Sequence, residues 1–297
     1  MRIKYYIQLI RINQWLKNIF IFAPIFFNGS ITNIKLLPTV FYCFFSFCFT
    51  ASAIYIYNDI CDKEKDILHK TKRKRPIAAG QISIKNAYIL SFLLIVLAYI
   101  PLFLLYQQDK FIGLIANAII FLYFITNIAY SKWLKKYSLI DVFIISFGFI
   151  LRLLLGSVTT KITLSPWLLL MTFLVTLFLA LSKRRDDVLI YQETGNCTRN
   201  NIRQYNIAFI DQSITIIAST NIICYILYTL SPEVITRVNC QYLYLTSIFV
   251  ILGILRYLQL TIVKQKSVHP TLIFLRDAFL QLCIIFWVIT FGIIIYF

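Results

Sequence analysis

Uncharged apolar runs of membrane length recur from one end of this 297-residue chain to the other, and its charges collect in the gaps between them. A bilayer core offers the backbone no hydrogen-bond partners, so a chain patterned this way folds as a set of spanning helices. Nine spans are expected, near 18–36, 37–57, 86–106, 111–130, 139–157, 164–182, 208–230, 239–257 and 278–296. The first is the weakest, being short and broken by Pro24 and Gly29. Its apolar stretch lacks a small-residue cleavage site, so no removable signal is expected. No flexible linker or soluble-domain-sized insert interrupts the pattern. Residues 1–297 therefore read as a single all-α domain, one bundle of nine transmembrane helices with a cytoplasm-facing polar cavity.

The charges orient the bundle. With the N-terminus inside, 24 of the 29 Lys and Arg residues fall on the cytoplasmic side, which also places the C-terminus outside. The net charge of +17 is then topology and attraction to anionic headgroups, and nucleic acid is excluded as a partner. Acids contribute little to topology, yet ten of the 12 lie at or near the cytoplasmic ends of spans, with Asp109 and Glu233 the exceptions. One face is thus both basic and locally acidic, the mixture that metal-bridged phosphate binding requires. The seven cysteines are scattered, with no C-x-x-C pair, and read as apolar filler. His69 and His269 are isolated and suggest no acid–base role.

The densest chemistry lies in 58–80, between two spans. Asp59, Asp62 and Asp66 stand at i, i+3 and i+7, so one helix would carry all three on one face, as carboxylates must to hold Mg²⁺ against a phosphate. Lys72, Arg73, Lys74 and Arg75 follow closely enough to bind phosphate oxygens. A solvated positive-inside loop would explain these cations but not the shared acidic face.

Other constellations are more ambiguous. Trp15 and Lys17 suit interface anchors equally well as a pair in which Lys17 and Asn18 donate to an anionic headgroup. Tyr130 ends the fourth span, with Lys135 just beyond it. Asp141, Gly148, Arg152 and Gly156 share one helix face, Arg152 lying roughly 16 Å along the axis from Asp141. At that depth an arginine costs about 2.5–3.5 kcal/mol, so it needs a structural partner or a bound phosphate. The flanking Gly148 and Gly156 would leave room for a ligand. Lys183, Arg184, Arg185, Asp186 and Asp187 end the sixth span. The adjacent acids there point about 100° apart, so only one can serve a metal site. Arg203-x-Tyr205 and Arg276-Asp277 precede later spans and are candidates for the same mouth.

Taken together these residues resemble the UbiA superfamily of membrane transferases. The superfamily's N-D-x-x-D-x-x-x-D motif is whole as Asn58, Asp59, Asp62 and Asp66. The matches continue in order through Gln14-Trp15-x-Lys17-Asn18, Lys72-Arg73-x-Arg75-Pro76-Ile77-Ala78-x-Gly80, Tyr130-Ser131-x-x-Leu134-Lys135, Asp141, Gly148-Phe149-x-x-Arg152, Gly156, Ser165-x-Trp167, Lys183-Arg184, Arg203-x-Tyr205 and Asp277. The W-x-K-N opening, and a K-R element in place of a second D-x-x-x-D motif, resemble the branch that moves phosphoribose. Two departures stand out: Ile12 where proline is expected, and Asp187 where glutamate is usual.

The resemblance implies transfer of 5-phosphoribose from phosphoribosyl diphosphate (PRPP) to a polyprenyl phosphate within the cytoplasmic membrane. Mg²⁺ on Asp59, Asp62 and Asp66 would neutralise the leaving diphosphate. Lys72, Arg75, Lys183 and Arg184 would bind the remaining phosphate oxygens. Lys17, Asn18, Asn58, Tyr130, Lys135, Asp141, Arg152 and Tyr205 complete the expected substrate site, with Asp187 beside them. The lipid phosphate is already anionic and needs no general base. An aromatic prenyltransferase should carry a second spaced acidic motif near 183–195, and a transporter or scaffold would use the loops for topology alone. Homo-oligomerisation is left open.

Overall fold

The computed structural model describes residues 2–68, 72–195, 201–263, 273 and 276–296, and every regular element among them is a helix. His69, His269 and Cys197 lie outside the described residues. In chain order the α-helices are α1 (Arg2–Ile10), α2 (Ala23–Phe27), α3 (Leu37–Cys61), α4 (Lys63–Leu68), α5 (Ile84–Gln108), α6 (Lys110–Lys132), α7 (Ile140–Thr160), α8 (Pro166–Thr194), α9 (Ile207–Leu230), α10 (Pro232–Val238), α11 (Ser247–Leu258) and α12 (Ala278–Tyr296). Among the described residues eight helices are long and apolar enough to cross a membrane: α3, α5 to α9, the composite Gln241–Val263 that contains α11, and α12.

The first expected span, 18–36, takes another form. A 3₁₀ helix, Ile12–Phe22, runs into the short α2, and turns follow up to α3. Pro24 is tolerated because it sits in the first turn of α2, where a missing N–H costs least. Asn28 caps that helix and Gly29, at φ 71°, turns the chain away from it.

Two compact units make up the chain: Met1–Lys135 with Phe147–Leu164, and Lys136–Ser146 with Ser165–Phe297. In the first, α3 is the central helix, packed on α5, α6, α1 and the 3₁₀ segment. Its apolar window is 61% buried, against 28% for both α5 and α6, although α5 is the more apolar, with a mean hydropathy of 2.6. Helices that are apolar yet turned outward require an apolar solvent, and here that solvent is lipid. The core around α3 includes Ile21, Val40, Phe47, Ile54, Leu102, Ile120 and Leu155. In the second unit α8 packs on α9, and α11 on α9 and α12, around Val142, Phe178, Leu181, Ile210, Tyr257 and Leu280. Hydroxyls inside the spans donate to carbonyls one turn back, as Thr126, Ser146, Thr160, Thr176 and Ser182 do, so their polarity is satisfied without water.

Candidate active site

The acidic motif sits in the first unit, where α3 gives way to α4. Asp62 caps α3 at φ −97°, ψ 5°, so the three acids do not share one unbroken helix. The Asp62 amide still bonds the Asn58 carbonyl at 2.9 Å, and the Asp66 amide bonds the Asp62 carbonyl at 2.8 Å. Helical spacing therefore survives the junction. Asp59 and Asp66 are 2% and 3% exposed, and Asn58 and Asp62 are half-buried.

Every one of these carboxylates meets a cation. Arg75 reaches Asp59 Oδ1 at 3.0 Å and Asp66 Oδ2 at 2.6 Å through a single terminal nitrogen. Arg11 donates to the same Asp59 oxygen at 2.5 Å while its guanidinium lies 5.2 Å above the Tyr55 ring. Lys135 Nζ holds Asp62 Oδ1 at 2.7 Å. Arg75 is placed by a tight turn: its amide bonds Lys72 O and its carbonyl accepts from Ala79. Ile77, 1% exposed, anchors that turn, and Gly80 closes it at φ 71°, a conformation that would strain any side chain. Lys72 is half-buried at its start.

Among the described residues no three His, Cys, Asp or Glu side chains form a ready metal cage. Asp59 and Asp66 nevertheless converge on one nitrogen of Arg75, so a small ion at that point would meet both. Mg²⁺ suits this donor set of hard oxygens. It is ordinarily held by one or two carboxylates plus substrate phosphates rather than by an all-protein cage.

Deeper in the same unit, Arg152 is 4% exposed on α7. Its Nε–H donates to Asn18 Oδ1 at 2.8 Å, and its terminal nitrogens donate to Gly148 O at 2.6 Å and Tyr123 Oη at 3.3 Å. The rings of Phe47, Tyr123 and Phe149 lie 4.4, 5.1 and 5.1 Å from the guanidinium carbon. Asn18 is fixed in turn by its donation to Cys48 Sγ at 3.0 Å. Lys17, half-buried, feels the charges of Arg152 and Arg11. Gly156 is a correction to the sequence reading. A Cβ there would lie 2.1 Å from the Ile21 carbonyl oxygen, so this glycine admits a neighbouring backbone rather than a ligand. Tyr130 is half-buried near the end of α6.

The second unit holds its own cluster. Arg184 and Asp141 have no exposed side-chain surface and pair at 2.6 Å. Arg184 also donates to Asp187 Oδ2 at 2.9 Å, and its other terminal nitrogen is buried without a hydrogen-bond partner among the described residues. Tyr205 Oη donates to Asp141 Oδ1 at 3.1 Å and accepts from the Leu139 amide at 2.7 Å. That contact holds Leu139 at φ 65°, a left-handed conformation costly for leucine. Burial pushes the Tyr205 phenol up to about 12, so it stays a donor. Lys183 and Asp186 are half-buried beside this group. Asp277 caps α12 through the Leu280 amide at 2.9 Å and pairs with Arg256 at 2.7 Å.

Sequence reasoning missed Arg11 as a partner of Asp59, Tyr123 as a wall of the Arg152 cage, and the pair Arg185–Asp211 at 2.6 Å. Arg11 stands three residues ahead of the matched Gln14-Trp15-x-Lys17-Asn18 segment and could have been suspected. Tyr123 looks like any other membrane aromatic.

The model of the UbiA prenyltransferase family matches residues 20–283. A decaprenyl-phosphate phosphoribosyltransferase from Mycolicibacterium smegmatis is 32% identical, covering 98% of this chain and 92% of its own. The enzyme of that name from Corynebacterium glutamicum is 34% identical, covering 75% and 66%. Among solved structures, a UbiA homologue from Archaeoglobus fulgidus bound to DMAPP and Mg²⁺ superposes with a TM-score of 0.70 at 16% identity, over 98% of each chain.

Proposed function

The chain belongs to the UbiA prenyltransferase family, and from that premise we propose that it transfers 5-phosphoribose from PRPP to a polyprenyl phosphate, releasing diphosphate. The observation that carries this reading is the convergence of Asp59 and Asp66 on one nitrogen of Arg75. The names of the mycobacterial and corynebacterial relatives support the choice of donor and acceptor. Asp59, Asp62 and Asp66 would hold Mg²⁺, which when bound neutralises charge on the diphosphate as a Lewis acid.

The protein's own side chains do the rest by position and charge. Arg75, freed from the two acids, binds diphosphate oxygens together with Lys72 and the Asn58 amide. Lys183 and Arg184 bind further phosphate oxygens, and the open nitrogen of Arg184 supports that role. Asp141, Asp187 and Tyr205 orient Arg184. Lys135, paired with Asp62, and Tyr130 at the end of α6 belong to the same substrate site, while Lys17, Asn18 and Arg152 offer anion donors deeper in. An oxygen of the lipid phosphate attacks the anomeric carbon, the bond to the diphosphate oxygen breaks, and diphosphate leaves with the electron pair. Holding both reactants in register and neutralising the leaving charge accelerates this step without a general base.

The family match runs across both units, which supports treating 1–297 as one functional domain. A ninth crossing by the N-terminal segment belongs to the same proposal. A 3₁₀ helix rises ~2.0 Å per residue, so Ile12–Phe22 continued by α2 covers about 30 Å, the thickness of the hydrocarbon core. The site then opens to the cytoplasm, with the C-terminus outside the cytoplasmic membrane. The test is incubation of purified protein with Mg²⁺, radiolabelled PRPP and a short polyprenyl phosphate, followed by lipid extraction. Label should enter the lipid. Prenyl transfer to an aromatic acid, with no label in lipid, would reject the proposal.

A further inference from the structure

Among the described residues two cations of the first unit, the buried Arg152 and the half-buried Lys17, have no acid paired with them. Arg152 is 4% exposed, and its three hydrogen-bond acceptors, Asn18 Oδ1, Gly148 O and Tyr123 Oη, are all neutral. Lys17 is half-buried in the field of Arg152, and its ammonium makes no ion pair or hydrogen bond among the described residues. The acids of the motif are not available to either: Asp59 and Asp66 are occupied by Arg11 and Arg75, and Asp62 by Lys135. One unpaired arginine in a membrane interior costs about 2.5–3.5 kcal/mol, and a second cation adds repulsion to that cost. The rings of Phe47, Tyr123 and Phe149 recover part of it by cation–π attraction, which orients the guanidinium but leaves the net charge uncancelled.

We propose that Lys17 and Arg152 form a binding site for a phosphate monoester, separate from the acidic site that takes diphosphate. The proposal rests on the transferase reading above and assigns to these residues a particular group of its substrates. A monoester carries about −1.5 to −2 at neutral pH, which matches two cations. A guanidinium has five N–H donors, and Arg152 spends them on three acceptors, so donors remain for phosphate oxygens. Lys17 supplies a mobile point charge beside that fixed fork. Asn18, held by Cys48, and Gly148 O aim the fork before any ligand arrives. A diphosphate on a metal would bring its own counter-charge and needs no such pair. Two groups in the reaction have the required chemistry: the 5-phosphate of the donor and the phosphate of the lipid acceptor.

Equilibrium binding to purified protein tests this without requiring turnover. The probes are a short polyprenyl phosphate, the matching polyprenol, ribose 5-phosphate, and inorganic diphosphate with Mg²⁺. In Lys17→Gln and Arg152→Lys, affinity for one monoester probe should fall about tenfold, with Mg²⁺–diphosphate affinity unchanged. Loss on polyprenyl phosphate, with polyprenol unaffected, identifies the acceptor phosphate as occupant, and loss on ribose 5-phosphate identifies the donor's. Lys17→Gln removes a half-buried side chain and keeps the test open if the Arg152 variant fails to fold. Unchanged binding of both monoesters, or an equal fall for Mg²⁺–diphosphate, would overturn the assignment. A protein that binds a monoester through these residues but puts no label into lipid would reject the transferase reading and leave the site standing.

Discussion

Arg184 Nε lies 2.6 Å from Asp141 Oδ2, and neither side chain has any exposed surface. A buried pair of this kind is expensive to break from one side, because the survivor stays buried with less to balance its charge; here Arg184 would be left with the half-buried Asp187 alone. Asp141→Ala should therefore cost about 3–5 kcal/mol, read as a large fall in melting temperature in detergent. The double variant Asp141→Leu with Arg184→Met should recover much of that loss while remaining inactive. If the double variant were the less stable of the two, the pair would be a net source of stability.

Asp59→Ala and Asp66→Ala should abolish transfer while leaving the protein folded in the membrane. Each removes an oxygen donor, and each also releases Arg75 from one of its two partners. Asp109→Ala is the control. That residue caps α6 through the Phe111 and Ile112 amides and pairs with an exposed Lys161, so its loss should cost about 1 kcal/mol of stability and no activity. Equal loss of transfer in all three would assign the acids to folding.

Arg75→Gln separates two roles of one side chain. If the guanidinium competes with Mg²⁺ for Asp59 and Asp66, removing its charge should lower the half-saturating Mg²⁺ concentration a few-fold. The KM for PRPP should rise about tenfold as a phosphate contact disappears. A higher Mg²⁺ requirement would mean that Arg75 organises the acids rather than competing for them.

Gly156→Ala should destabilise the protein by roughly 1–3 kcal/mol or more, since its Cβ would sit 2.1 Å from a backbone oxygen that has little freedom to move. Gly148→Ala is the contrast. Its Cβ would meet the Tyr123 ring at 3.4 Å and Arg152 at 3.5 Å, ordinary contacts, so thermal stability should be nearly unchanged. A comparable fall in both variants would argue against backbone contact as the cause.

Fusions to the C-terminus test the crossing count. With nine crossings and a cytoplasmic N-terminus, alkaline phosphatase joined after residue 297 should be active and a cytoplasmic reporter silent. The reverse would show that Ile12–Phe27 does not cross.

What could be read in advance followed the range of the interactions. Asp59, Asp62 and Asp66 lie within two helical turns, so their grouping needed only the helical period. Their cationic partners did not yield to that reading: Arg11 is 48 residues from Asp59, and Lys135 is 73 from Asp62. The long spans were legible because twenty apolar residues have one stable form in lipid. The N-terminal segment was not, since apolar composition does not distinguish a 3₁₀ helix from an α-helix. Gly156 reads as space for a ligand because a small residue looks the same in sequence whether it faces a ligand or a neighbouring backbone.

Arg11 occupies the left-handed region at φ 57°, ψ 50°, between α1 and the 3₁₀ helix, and from that pivot its guanidinium reaches Asp59. The N-terminal helix is thereby mechanically in series with the acidic motif: tension or a bulky partner applied ahead of Arg2 is transmitted through one bent residue to the first carboxylate. An affinity tag for functional work therefore belongs after α12, where no such tether runs among the described residues.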